Sequence, residues 1–354
     1  MKNHLQYLRR AGVFYVLLLF PLIMVNCSKE DTNLSEDHAF QKDFEEAGDL
    51  PELEMNIQEF SDPDLGGVEF STDISEMISQ LQAGQLTASG KANLKAIQDF
   101  MTSLPTPDLD LANGLDTQSL EAIMNADDLS SDLSNLKRKM EAAPAQILDM
   151  LPRVKYSQDY EAYAASTKAP GFSPVKGLAP GETTATYLNG DCYELAKSAY
   201  GEKMKELQNQ RDAQLQSISQ TYDGWLVDCN NRYNHRVSTY NKKKEDIRLE
   251  IQQTASQLIA AANNAEASGD PNVAKQIRCL ALFFTIYGKF SYNQWCISAP
   301  QLLITIKNAE IIIIKAIKEA LINKCHYNFN FCKKKCDDIL DHCYRSCHNQ
   351  GSGN

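Results

Sequence analysis

A chain of 354 residues, 43% of them hydrophobic, is long enough for two or three domains and at least one substantial core. Its net charge of -11 and pI near 5.1 exclude nucleic acid as the expected partner, because such binding rests on Lys and Arg neutralising phosphates. The charge is uneven: residues 1–27 carry +3, residues 28–70 carry 14 acids against Lys29 and Lys42, and the remaining 284 residues come to -2.

Residues 1–10 hold Lys2, Arg9 and Arg10 and no acid, and Ala11 to Val25 is apolar apart from Pro21. This is the n-region and h-region of a secretory signal, too short for the roughly 20 apolar residues of a spanning helix. Leu22-Ile23-Met24-Val25-Asn26-Cys27 resembles a lipobox, with Met24 and Asn26 where Leu and a small residue are usual. The resemblance covers the N-terminal segment alone. It implies removal of residues 1–26, lipid on Cys27 and attachment to a membrane. Cys27-Ser28-Lys29-Glu30-Asp31 is similar to the export signal of surface-exposed lipoproteins of the Bacteroidota, in which a lysine and two acids follow the lipidated cysteine. That similarity implies an outer-membrane anchor with the body facing outward, a periplasm-facing anchor being the alternative.

Residues 27–70 are acidic, contain the turn former Ser61-Asp62-Pro63-Asp64 and then Gly66-Gly67, and hold few large apolar residues. Such a segment offsets little of its ordering entropy by burial and is expected to be a disordered tether. As a coil its 43 residues after Cys27 would span roughly 35 to 40 Å.

From 71 to 165 short helical patterns succeed one another, and a small helical domain is expected. Ser71 precedes Ile74, Met77, Ile78 and Leu81; Ala92, Leu94, Ile97 and Phe100 follow; Leu120, Ile123 and Met124 come after Thr117; Leu133, Leu136 and Met140 come after Ser130 or Ser131. Asp108 opens a stretch that superficially matches a calcium loop, but Ala112 and Ser119 stand at ligand positions and Gly114 is one place late. Residues 166–190 are rich in Pro, Gly, Ser and Thr and mark a linker.

The segment 191–349 is expected to form long antiparallel or coiled-coil-like helices. Met204, Leu207, Arg211, Leu215, Ile218, Tyr222, Trp225, Cys229, Tyr233, Arg236 or Val237, Tyr240, Lys244, Ile247, Ile251, Thr254 and Leu258 recur at steps of three and four. This apolar seam has polar breaks at Arg211, Arg236 and Lys244, and Gly224 with Asn230 and Asn231 is a possible break in the helix. Ser268-Gly269-Asp270-Pro271 ends it, a helix over Val273 to Phe290 follows, and Ser298-Ala299-Pro300 predicts another turn. From Gln301 the rhythm resumes through Ile306, Ala309, Ile313, Ile317, Ala320 and Leu321. Lys307, Lys315, Lys318 and Lys324 argue for a packed amphipathic helix over a membrane span, with an inserting helix as the alternative.

Beyond Cys27 there are nine cysteines: Cys192, Cys229, Cys279, Cys296, Cys325, Cys332, Cys336, Cys343 and Cys347. Export places them where disulfides persist. Steps of eleven residues, close to three helical turns, put the last five on one seam, with the four upstream cysteines as candidate partners and Cys279–Cys296 as a further pairing. Nine is odd, so at least one stays outside an intrachain bridge. Three other readings compete. Cys332-x3-Cys336 with Cys343-x3-Cys347 resembles a twin CX3C hairpin. The thiols with His326, His342 and His348 offer soft metal ligands. Cys343-Tyr-Arg-Ser-Cys347-His348 is a variant of a haem attachment motif. Lys333, Lys334 and Lys335 between Cys332 and Cys336 predict lowered thiol pKa values.

No nucleophile elbow, zinc-protease helix, P-loop or dinucleotide fingerprint occurs in the sequence. The expectation is therefore a mainly α structure without an enzymatic role or cofactor: a disordered tether, a small helical bundle and long helices cross-linked by disulfides. It would act as a membrane-anchored scaffold for a protein partner. A metal-binding or thiol-redox protein and a helical membrane-active protein are the alternatives.

Overall fold

The structure is a computed structural model describing residues 37–57, 59–157 and 191–350. The signal segment 1–26, the anchor Cys27 and the linker 166–190 lie outside the described residues. The described chain is mainly helical: α1 (Asp37–Glu45), α2 (Thr72–Gln82), α3 (Ala88–Met101), α4 (Thr106–Asn113), α5 (Thr117–Asn125), α6 (Ser131–Met140), α7 (Ala145–Leu148), α8 (Asp191–Ala267) and α9 (Pro271–Gln350), with the strands β1 (Gly67–Glu69) and β2 (Arg153–Lys155).

Helix starts follow capping chemistry. Ser71, Thr87, Asp116 and Ser130 each accept a backbone N–H of the first turn of α2, α3, α5 and α6. The acidic stretch that superficially matches a calcium loop is α4, whose Asp108 is buried and paired to Lys139 at 2.6 Å. The β1–β2 ribbon, which the sequence pattern did not announce, is antiparallel and pairs Val68 with Val154. Gly66 precedes it at φ 66°, and a Cβ there would lie 2.1 Å from the Lys155 carbonyl oxygen, so only glycine fits.

The contacts group the chain into two compact units. The first comprises the described residues 37–48, 191–206 and 332–350. Here Phe44 of α1 is buried edge-on to Tyr200, the Tyr200 hydroxyl donates to Asp337 at 2.7 Å, and a disulfide joins Cys192 to Cys347. The second comprises residues 49–157 and 207–331. In it α2–α7 share one core with α8 and α9: Ile74, Ile97, Leu120, Leu136 and Ile147 are buried with Ile251, Leu258, Phe283, Phe284 and Trp295. Residues of the expected 71–165 domain thus share a core with the middle of the expected 191–349 domain.

The two long helices pack together antiparallel through a turn at Ser268–Gly269–Asp270, where Gly269 takes φ 89° and Asp270 caps α9 at the Val273 N–H. Seam positions read from the sequence are buried, among them Leu207, Ile218, Cys229, Tyr240, Ile247, Ile251 and Leu258. Gly224 does not break α8 and Ile311–Ile314 are helical. Cys279 to Ile286 is buried throughout, because α8 covers one side of it and the small helices another. Gly288 sits at a close approach: a Cβ would lie 2.7 Å from Ile251 Cγ2. Ile251 is β-branched and fully buried, so it has little room to swing away. Gly288→Ala is expected to lose about 1–2 kcal/mol net, overpacking outweighing the gain in helix propensity. The loss should shrink in an Ile251→Ala background. A urea midpoint that stays put or rises with Gly288→Ala would show instead that the helices yield.

Pro300 lies inside α9 and does not make the expected turn. A proline deprives the carbonyl four residues earlier of its helical hydrogen bond, at a cost near 3 kcal/mol. That carbonyl belongs to Cys296, and the Tyr240 hydroxyl from α8 donates to it at 3.4 Å. Burial raises the Tyr240 pKa to about 12, which keeps the donor protonated. Tyr240→Phe is expected to cost about 1 kcal/mol, with faster amide exchange around Ala299–Leu303; unchanged exchange there would remove Tyr240 as the compensating group.

Candidate functional site

The acidic stretch is a free tether in expectation only. From Asp37 on it is structured: α1 belongs to the first unit, and residues 49–66 form an extended strap along α8 in the second. The alternation Leu53, Met55, Ile57 against Glu52, Glu54, Asn56 gives the strap a half-buried face and an exposed one. Leu53 and Met55 pack on Ile218 of α8 and on Leu321 and Cys325 of α9.

Side chains of α8 hold the strap along its length. The Leu50 amide donates to Gln210 Oε1 at 2.9 Å, Gln214 Nε2 donates to the Pro51 carbonyl at 3.0 Å, and the Ser217 hydroxyl meets the Met55 sulfur at 4.0 Å. Arg232 stacks over Phe60, Arg236 donates to Asp62 Oδ1 at 2.8 Å and to the Ser61 carbonyl, and Lys243 lies 4.0 Å from Asp64. Strap and helix run in the same direction. From Leu50 to Asp64 an extended chain covers about 46 Å, and from Gln210 to Lys243 a helix rises about 50 Å, so the lengths match without slack. At the end the Trp295 indole donates to the Leu65 carbonyl at 2.8 Å.

Beneath the strap lies a buried ionic cluster. Glu310 of α9 is fully buried and accepts from Arg236 Nη1 at 2.6 Å and from Arg232 Nη2 at 2.8 Å and Nε at 3.0 Å. Cys229 is buried beside it, its thiol meeting the Lys307 carbonyl at 3.9 Å. Burial first, and then the Glu310 charge, push this thiol's pKa up. The arrangement positions and neutralises charge; a thiol held protonated is no nucleophile.

The cysteine seam is placed as the eleven-residue spacing implies, with Cys325, Cys332, Cys336, Cys343 and Cys347 all buried. One bridge forms among the described cysteines, Cys192–Cys347. Register explains why the expected set does not: Cys229 faces Lys307 and Cys325 faces Arg211. Cys279 and Cys296 stand on one continuous helix, 17 residues or about 25 Å apart, too far to bridge. The twin-hairpin reading fails because α9 runs unbroken through both pairs. The haem-type reading loses Cys347 to the disulfide. His326, His342 and His348 are exposed while the neighbouring cysteines are buried, and among the described residues no group of three metal-ligating side chains converges.

At Cys336 the lysines do not lower the thiol pKa as expected. Lys334 and Lys335 are exposed to solvent while Cys336 points inward, where burial pushes its pKa up to about 11 against the pull of Lys203. Burial and then Asp43 raise Cys343 to about 11. Protonation is favoured in the fold, so these thiols support stability below about pH 8.5 and lose that support as the pH rises toward 11. At pH 8 both are expected to react with iodoacetamide about 100-fold more slowly in the native protein than in urea; equal rates would refute the burial argument.

Two further surfaces bear on function. Ile297, Ile304 and Ile312 of α9 are 64%, 50% and 61% exposed, and their spacing of seven and eight residues puts them on one face. The shallow depression lined by Asp73, Glu76, Met77, Gln80, Ser89, Gly90 and Asn93 holds a volume of only about 20 Å³, far less than metabolite sites offer. No protein-family model, curated protein or solved structure matches the chain. The exposed isoleucines, the strap and the cluster beneath it therefore carry the functional argument by their geometry.

Proposed function

We propose that this chain is an exported lipoprotein, anchored through lipid on Cys27 in the outer membrane with its body facing outward, and that the helical body is a scaffold docking a protein partner. The anchor rests on the lipobox and the Lys29-Glu30-Asp31 signal behind it. The observation that carries the docking role is the row of isoleucines at 297, 304 and 312, apolar side chains kept in water along a helix whose opposite face is packed. Nine residues separate Cys27 from α1, so the lipid would hold α1 within about 35 Å of the membrane.

The anchor is tested by the intact mass of protein taken from its native membrane and by protease added to whole cells. A diacylated N-terminus and digestion of the body support the reading, and an unmodified Cys27 sinks it. The docking role is tested with a photo-crosslinking residue at Ile304. Adduct formation that Ile297→Lys with Ile312→Lys abolishes, without changing the unfolding midpoint, supports it; an absence of adducts on living cells counts against it. A second reading is favoured by one feature: an 18-residue window of α9 has mean hydropathy 1.4 and is only 33% buried, as a membrane-inserting helix requires. Dye leakage from liposomes on adding the protein would support insertion, and its absence at every pH and lipid composition would end that reading.

A further inference from the structure

The strap is an unusual way to cover a groove between two helices. Residues 49–66 carry six acids, Asp49, Glu52, Glu54, Glu59, Asp62 and Asp64, and no base. The surface beneath presents Arg232, Arg236 and Lys243. Between Leu50 and Leu65, both buried, the apolar residues Leu53, Met55, Ile57 and Phe60 are only half-buried. Gly48 at φ 73° and Gly66 at φ 66° bracket the segment and give it a bend at each end. One buried polar atom below it is poorly served: Gln214 donates its amide to the Pro51 carbonyl, while its own Oε1 has no hydrogen-bond donor among the described residues. Proline has no N–H to offer there, whereas most other residues in an extended chain do.

We propose that the groove between α8 and α9 under residues 50–64 is a peptide-docking surface in which the strap is a resident stand-in, and that its external occupant is an extended segment of a partner protein with acids alternating with apolar residues. The occupant's chemistry follows from the groove. Arg232, Arg236 and Lys243 select acids toward the C-terminal end of the segment, and the Ile218, Leu321 and Cys325 surface takes side chains two residues apart. Intramolecular tethering gives the strap a high effective concentration, so the groove stays closed until a partner competes with the half-buried middle. This goes beyond the docking role proposed for the isoleucine face and does not depend on it.

The test uses the full exported chain and a fluorescent synthetic peptide with the sequence of residues 49–65 as the probe. In one variant, Leu53→Ser with Met55→Ser and Asp62→Asn loosens the strap and leaves the groove unaltered. Circular dichroism and cooperative unfolding confirm that the variant is folded. The peptide is expected to bind the loosened variant at least about 10-fold more tightly than the unaltered chain, because the internal competitor is weakened. A peptide with its acids replaced by lysines should not bind, and adding Lys243→Glu to the loosened variant should weaken binding several-fold. Equal affinity for the loosened and unaltered chains, or no binding to a folded loosened variant, overturns the proposal. Binding that ignores the peptide's charge overturns the assignment of an acidic occupant. If the loosened variant proves unfolded, the single Asp62→Asn chain replaces it under the same criteria, with a smaller expected gain.

Discussion

Replacing Cys192 by serine is expected to destabilise the first compact unit more than any other single change considered. The bridge to Cys347 closes a loop with a sequence separation of 155 residues. In the chain-entropy description a loop of that size restricts the unfolded chain by about 5 kcal/mol, with a measured range of about 2–5 kcal/mol for native bridges. The native contacts left behind are modest: the Tyr193 and Tyr344 rings at 5.3 Å, the Tyr200–Asp337 hydrogen bond and α1 packed through Phe44. The check is hydrogen exchange of residues 191–206 and 332–348 in the oxidised protein and in Cys192→Ser. Protection there should fall sharply while that of Ile251 and Phe283 holds, because the core of the second unit does not include the bridge. Unchanged protection at the bridged ends would mean that packing, and not the cross-link, holds them.

How much of this was legible in the sequence depends on the length of the pattern. The seam from Met204 to Leu258 repeats over many turns, and its buried positions follow the three-four rhythm closely enough to survive a glycine at 224 and an arginine at 236. The cysteines at 325, 336 and 347 lie on that rhythm too, which is why their burial could be read while their pairing could not. Pairing depends on the register of the facing helix: among the described residues Cys192 meets Cys347, whereas Cys229 meets the Lys307 carbonyl and Cys325 the Arg211 carbonyl.

The misses are local rules overridden from a distance. Pro300 reads as a stop, but a tyrosine 60 residues earlier in the chain serves the carbonyl it orphans. The strap was hidden by its charge. A count of acids marks residues 28–70 as a solvated coil, whereas the alternation of Leu53, Met55 and Ile57 with polar neighbours is the signal of an extended segment with one side covered. The acids themselves are intelligible only once Arg232 and Arg236 are placed opposite Phe60 and Asp62. Glu310 was passed over for a similar reason. It stands in step with Ile306, Ile313 and Ile317, an acid on an apolar stripe, and of its two partners on α8 Arg236 reads as a break in the seam while Arg232 stands off it.

Glu310→Ala is the second large effect. The carboxylate is fully buried and receives three guanidinium hydrogen bonds, from Arg232 Nε and Nη2 and from Arg236 Nη1. Arg236 is itself only 3% exposed, so its charge stays in the interior when the acid is removed. Withdrawing one partner of a buried ion pair costs about 3–5 kcal/mol, most of it the burden of the charge left behind. Asp62, on the exposed strap, keeps its contact to Arg236 Nε but is 60% exposed and too well solvated to replace a buried acid. Two measurements separate this account from simple loss of packing. Glu310→Gln, nearly the same volume, should still lose most of the stability in urea unfolding, and Glu310→Met combined with Arg236→Met should recover a large part of it, because the uncompensated charge is then gone. If Glu310→Gln behaves as the unaltered chain, or if the double replacement is as unstable as Glu310→Ala, the cluster is not held together by its charges.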